Sequence, residues 1–413
     1  MRAIHYREID GRSVGFWGLA ALLAAFMAAG VTAAYFMAHI GHIITGMTNQ
    51  VVWGMPHVFA VFLIVAASGA LNTASIASVF GRVAYRPLAR LSGLLAIALL
   101  IGGLAIVVLD LGRADHLGVA LTHFNFRSIF AWNIFLYTGF VAVTGWYLWV
   151  MMERRLNRYT RMVGTVAFLW RLILTTGTGS IFGFLIARQP YDEAIMAPLF
   201  VMMSFSFGLA IFILVLMAAF KGARRPLGDD TLMRLKNLLG VFAAGVLYFL
   251  LAFHITKLYE AAFRGAEAFL LWDGGIYTFL FWFGAVFLGG MLPMLLFWLP
   301  QTRRSRAAAG WGSASVVVGG LALMYDIIIG GQAWPLSIFP GMKVSSSFYD
   351  GVVNSYSPSL PECALALGGC ALALFIILFA LKLLPFLPES LADEGVVESD
   401  MGSAKPKAAA GAA

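Results

Sequence analysis

Charge is what this chain of 413 residues has least of. Asp, Glu, Lys and Arg together make 12%, about half the share of an ordinary soluble domain. Hydrophobic residues make 61%, which excludes a soluble globular class. Cysteine is nearly missing as well: Cys363 and Cys370 are the whole supply. On one helix their spacing corresponds to about 10 Å of rise, too far for a disulfide. No cysteine cluster exists, so an iron–sulfur centre would have to come from another chain. A cleavable leader is not expected either. Arg2, Arg7 and Arg12 precede an apolar run longer than a signal-peptide core, so an uncleaved first helix is expected. The glycine-rich stretch 175–183 has the look of a nucleotide loop, but no Lys-Ser/Thr follows and no strand precedes it. Tight helix packing is its reading.

What the chain does have is a series of long apolar runs. We read ten, at roughly 14–44, 52–80, 88–109, 128–152, 161–188, 193–220, 236–259, 274–299, 310–331 and 362–386. Runs of about 20 apolar residues span a bilayer as helices. The fold class is therefore all-α, a polytopic integral membrane protein. The 44 glycines suit close helix–helix approach in lipid. The domain reading is a cytoplasmic N-terminus 1–13, a transmembrane domain 14–388 and a disordered cytoplasmic tail 389–413, rich in Ala, Gly and charge.

Basic residues orient the helices. Of 28 Lys and Arg, 21 fall on one alternating set of flanks and six on the other; Arg171 lies inside the fifth run. The positive-inside rule then puts both termini in the cytoplasm of a bacterial inner membrane. The net charge of +8 is thereby a topological signal and not a nucleic-acid one.

Polar residues gather in the half facing outside. Residues 110–137 join the third and fourth runs and hold Asp110, Arg113, His116, His123, Trp132, Asn133 and Tyr137. Asp110 and Arg113 are close enough in sequence to pair. Six of the seven histidines lie in that half, among them His39, His42, His57 and His254. Histidine exchanges protons near neutral pH, although wet rims collect such residues without any function. Deeper groups are Asn72, Arg171 and Asp326, candidates either for structural pairs or for steps in a proton path. A bis-histidine haem needs rings facing across helices; the spacing here fits that poorly. A rim with His, Asp, Arg, Asn and Tyr above aromatic residues such as Trp53, Phe130, Trp132 and Phe135 suits a quinone ring with its tail in lipid. The loop 332–361, with Trp334, Pro335, Pro340, Tyr349, Asn354, Tyr356 and Pro358, is long enough to dock an outside partner.

Five stretches carry a family resemblance: 48–57 (Thr-Asn-Gln-Val-Val-Trp-Gly-Met-Pro-His), 66–72, Asp-Leu-Gly-Arg at 110–113, Phe-Ala-Trp-Asn at 130–133, and 168–179. The chain resembles the NrfD/PsrC family of quinone-interacting membrane subunits, and within it the DsrP branch found in DsrMKJOP complexes of sulfur metabolism. The resemblance implies two four-helix bundles with extra helices, and a site for menaquinone or ubiquinone. It implies no haem, metal or cluster in this chain. Electrons would pass to a DsrO-like periplasmic iron–sulfur protein, alongside DsrM-, DsrK- and DsrJ-like subunits. By analogy, His39 or His42 and Tyr137 approach the quinone, with Asp110 as the other catalytic candidate. His57, Arg113, Trp132, Asn133, Trp53 and His254 are the candidates for holding the ring. A transporter or ion channel is the alternative class, and a haem b-containing anchor a further one. The absence of an internal repeat and the placing of polar groups at one rim weigh against transport.

Overall fold

The computed structural model describes residues 4–336, 339 and 351–393. Among them ten helices are long and apolar enough to cross a membrane. They are α1 Val14–Ile40, α2 Met55–Ser78, α3 Val83–Leu109, α4 Ile129–Met152, α5 Arg154–Gly183, α6 Met196–Gly222, α7 Asp229–Tyr259, α8 Ile276–Trp298, α9 Arg306–Ala333 and α10 Leu360–Leu383. All ten expected runs are present, and their ends move for local reasons. The first run continues apolar to residue 44, but Gly41 adopts φ 92 and stops α1 at Ile40. The next residues form a tight turn, His42–Ile44. Ser13 caps α1 by accepting the Phe16 amide. α7 begins well before its apolar run, because Asp229 and Asp230 occupy its first turn, where negative charge is favoured.

Helices α2 to α5 form one four-helix bundle and α6 to α9 a second. α2 and α5 pack against α6 to join them, while α10 packs on α3 outside the first bundle and α1 packs on α10. The joint between bundles is made by backbone. A Cβ on Gly69 would overlap the Ser204 carbonyl oxygen, and one on Gly208 would overlap the Ala70 amide. In hydrocarbon there is no hydrophobic force between helices, so such close packing supplies the association.

The two ends of the bundles differ. At the arginine-rich end, β1 Tyr6–Arg7 pairs antiparallel with β2 Leu387–Pro388. Arg225 clasps both, donating to the carbonyls of Arg7, Glu8 and Leu387. The chain stays packed beyond that point: Leu391 bridges to Leu227, and the Asp393 carboxylate accepts the amides of Asp229 and Asp230. The disordered tail expected from 389 onward is thus ordered through Asp393. Residues 394–413 lie outside the described ones.

At the opposite end sits the long loop before α10. Pro340 and Tyr349 lie outside the described residues. Trp334 donates to Gln189 and the Asn354 amide donates to Ala333. Tyr356 is buried, so these residues hold the rim together as well as forming part of its surface.

Gly69→Ala and Gly208→Ala should each lower the thermal unfolding midpoint in detergent, on the scale of about 1–3 kcal/mol or more that overpacking costs. Gly15→Ala, where a Cβ meets nothing within 4 Å, should leave it unchanged. Equal behaviour of all three would show that the backbone joint is not tight.

Candidate functional site

Asp110 follows the last residue of α3 and is 6% exposed. Two histidines converge on it. His57 Nδ1 lies 3.0 Å from Oδ2 and His42 Nε2 lies 3.8 Å from Oδ1, while His42 Nε2 is also 3.0 Å from the Asp110 carbonyl oxygen. The His57 contact is short but misaligned: neither carboxylate oxygen has a hydrogen bond of good geometry, and neither does His57 Nδ1. The contact is therefore one of proximity and not an aligned hydrogen bond. A buried carboxylate is costly unless compensated, and here two imidazoles are its neighbours. Their side chains keep 26% and 32% of their surface exposed, so the carboxylate is shut in while the rings reach the rim.

Local sequence builds this arrangement. Pro56 at the start of α2 presets the first helical turn, which carries His57. Gly41 ends α1 and turns the chain so that His42 faces back over Gly112. The connector 41–54 between these histidines is pinned from three sides. Glu362, fully buried, accepts the Gly46 amide at 2.7 Å and the Tyr356 hydroxyl at 2.6 Å, and that hydroxyl accepts the Met55 amide at 2.7 Å. Burial, then the bond to Glu362, holds the Tyr356 hydroxyl well above its ordinary pKa. Gln332 accepts the amides of Val52 and Trp53, both at 3.0 Å, and donates to the Trp53 carbonyl at 2.9 Å. Arg188 donates to the carbonyls of Gln50 and Gln332. The connector lies so close that a Cβ on Gly46 would overlap the Ser357 carbonyl oxygen, and one on Gly54 the Glu362 carboxylate. Trp53, so held, stacks on His57 with ring centroids 6.1 Å apart, and meets Phe130 and the edge of Phe182.

Several candidates lie elsewhere. Asp110 does not pair with Arg113. That arginine grips Asp115 through two hydrogen bonds of 3.0 and 2.9 Å, in solvent, because the turn after Leu109 points it outward. The bonds from Arg113 hold the Asp115 carboxyl down to about 2. His39 is exposed, bonded to the Tyr35 carbonyl and lying over the Tyr35 ring, so of the two α1-end histidines His42 is the one at the cluster. Trp132 is exposed and donates to the Phe126 carbonyl. Asn133 is buried and joins α4 to α5: it donates to Ile129 and Gly177 and accepts from Thr178. Tyr137, one turn on, meets that same Thr178. Neither is turned to the Asp110 cluster in these contacts.

Two polar groups lie deeper. Arg171 is fully buried and donates to the Asn72 side chain at 3.1 Å and the Ser68 carbonyl at 3.4 Å, with Phe168 and Phe205 over its guanidinium. Its partners are neutral, and they fasten α5 to α2. In the second bundle His254 Nδ1 lies 2.6 Å from Glu267, both buried. Asp326 lines a cavity of about 20 Å³ with His254, next to the wider-wound turn Asp326–Gly330 of α9. His254 and Asp326 are thus a separate cluster.

The positioning residues Glu362, Gln332 and Arg188 were not singled out by sequence reasoning. Glu362 left one sign, the capping box Ser359-x-x-Glu362 that starts α10. Gln332 left none.

Paired four-helix bundles with two flanking helices and a histidine–carboxylate rim define a multi-pass integral membrane protein. The chain belongs to the NrfD family: the family model described as polysulphide reductase, NrfD, matches residues 43–335. It is 30% identical over 406 residues to the Hdr-like menaquinol oxidoreductase integral membrane subunit of Archaeoglobus fulgidus, covering 96% of this chain and all of that protein. It is 22% identical over 396 residues to a selenate reductase subunit of Mesobacillus selenatarsenatis, covering 86% of this chain and 91% of that one. These relatives are named as subunits of oxidoreductases.

Asp110→Ala should lower the thermal unfolding midpoint, since it strands His42 and His57 beside a new void. Arg113→Ala and His39→Ala should leave it unchanged. A loss in Arg113→Ala equal to that in Asp110→Ala would mean that Arg113 supports the cluster after all.

Proposed function

We propose that this chain is the quinone-reactive membrane subunit of a respiratory oxidoreductase, with His42, Asp110 and His57 as its proton-handling groups. The observation that carries this reading is the buried Asp110 carboxylate with two rim histidines beside it. Full-length similarity to a protein named as a menaquinol oxidoreductase membrane subunit supports it and favours menaquinone over ubiquinone.

Quinol oxidation releases two electrons and two protons. With Nδ1 of His57 turned to Asp110, its Nε2 is the nitrogen left to take a proton from a quinol hydroxyl. His42 has Nε2 on the Asp110 carbonyl, which leaves Nδ1. Asp110 orients both rings and offsets the positive charge that protonation brings. Trp53, stacked on His57, gives the flat apolar surface against which a quinone ring would rest. The ring nitrogens sit at one membrane face, so protons leave on that side, and electrons go to an iron–sulfur subunit docked there. With the arginine-rich end in the cytoplasm, that face is periplasmic.

A DsrO-like partner, with DsrM-, DsrK- and DsrJ-like subunits in a sulfur-metabolising complex, is the assembly we assign by resemblance of residues 48–57. The proton path read from Asn72, Arg171 and Asp326 divides. Arg171 and Asn72 act as a packing joint, while Asp326, with Glu267 and His254, remains the titratable cluster of the second bundle.

Asp110→Asn and His57→Ala should each slow quinol-dependent reduction of the partner's clusters by about 10²-fold, the scale of removing a general acid–base or its orienter. The complex should still assemble. Wild-type rates in both variants would move the reaction away from this rim. Extractable quinone without a haem absorption band would separate this function from a haem-bearing anchor, and bound quinone would separate it from a transporter.

A further inference from the structure

A basic surface lies at the other end of the first bundle and plays no part in the chemistry above. The ends of α2 to α5 and residues 4–6 enclose a cavity of about 920 Å³. Its lining includes Arg86, Arg154, Arg158 and Arg161, none of which has a carboxylate at ion-pair distance among the described residues. No acidic residue lines it. Glu153, the carboxylate next in sequence, is turned to the Arg155 amide. A fifth arginine, Arg90, is already committed: it donates to Pro385 and Met151 and lies under the Tyr6 ring at 3.9 Å. It fixes the wall, while among the described residues none of the other four guanidinium groups donates a hydrogen bond, and Arg158 lies over the Tyr159 ring at 4.7 Å.

The rest of the lining is not that of a site for a soluble anion. Val79, Phe80, Met151 and Met152 give it an apolar side, and Phe80 is 59% exposed on the bundle surface. Deepest in are the hydroxyls of Ser78 and Tyr147, 2.6 Å apart, with Tyr147 donating to the Ala74 carbonyl. Guanidinium groups above an apolar wall at a helix end match a phosphate headgroup above its acyl chains. Arginine forks bind phosphate in two-pronged fashion, and basic pockets between helices at the membrane surface hold anionic headgroups. We propose that this cavity binds an anionic phospholipid, its phosphate on Arg154, Arg158 and Arg161 and an acyl chain along Phe80 and Met152. The lipid would stand beside the close approach of Ser78 on α2 to Gly164 on α5, and so brace the bundle that carries the histidine rim.

The test uses the full chain purified in detergent and stripped of lipid. Phosphatidylglycerol should raise the thermal unfolding midpoint, and phosphatidylcholine should not. Arg154→Gln/Arg158→Gln/Arg161→Gln should bind phosphatidylglycerol about 100-fold more weakly, at roughly fivefold for each arginine near the membrane surface. The single variant Arg158→Gln, weaker by about fivefold, guards against misfolding of the triple. Arg303→Gln/Arg304→Gln, at a different cavity of the same end, should bind as wild type. A phosphatidylglycerol shift undiminished in the triple variant would overturn the site. A full shift with inorganic phosphate alone would overturn the lipid and leave a soluble-anion pocket.

Discussion

The contact between α2 and α6 is the constraint on which the rest of the structure depends. At Gly69 and Gly208 the two backbones touch, with no space for a methyl group on either side. This sets how the first bundle meets the second. It also fixes α2, whose first turn holds His57 and whose middle receives Arg171 through Ser68 and Asn72. Lipid offers no water to relieve a misplaced polar group, so the helices must close on one another completely. Small residues make that closure possible.

Given that frame, the histidine rim is an exercise in holding an irregular segment still. The connector 41–54 has little regular structure, yet it places His42 and, through Pro56, His57. Its amides are taken by Glu362 and Gln332 and its Gln50 carbonyl by Arg188. These three residues come from three distant parts of the chain. Irregular backbone at this depth persists only when protein groups satisfy it. The same clamps keep Trp53 flat on His57. The cluster of two histidines and one carboxylate therefore draws on the ends of α1, α2 and α3 for its side chains and on α9 and α10 for their support.

The two ends of the molecule divide labour by charge. One end gathers histidine with buried carboxylates, at Asp110 in the first bundle and Glu267 in the second. The other gathers arginine, stapled by the β1–β2 pair and by Arg225. Between them the interior polar groups are neutral-partnered, as at Arg171, and serve to lock helices.

The sequence by itself determined the ten helices, their alternation across the membrane and the concentration of histidine at one end. Hydropathy and the arginine count are local or additive properties, and a bilayer reads them directly. Asp110, Trp53 and His57 all lie in stretches that carried the family resemblance, and the fold brings them to one rim. Which groups meet was decided only by tertiary structure. Asp110 and Arg113 are three apart and of opposite charge, yet the turn after α3 buries one and exposes the other. His39 and His42 are three apart as well, and Gly41 sends them different ways. Asn133 and Tyr137, expected beside a ring, both meet Thr178 across the seam between α4 and α5. Glu362 and Gln332 act across some 280 to 316 residues of separation, a distance over which no local pattern can signal. Burial and backbone direction, which belong to the folded chain alone, made those choices.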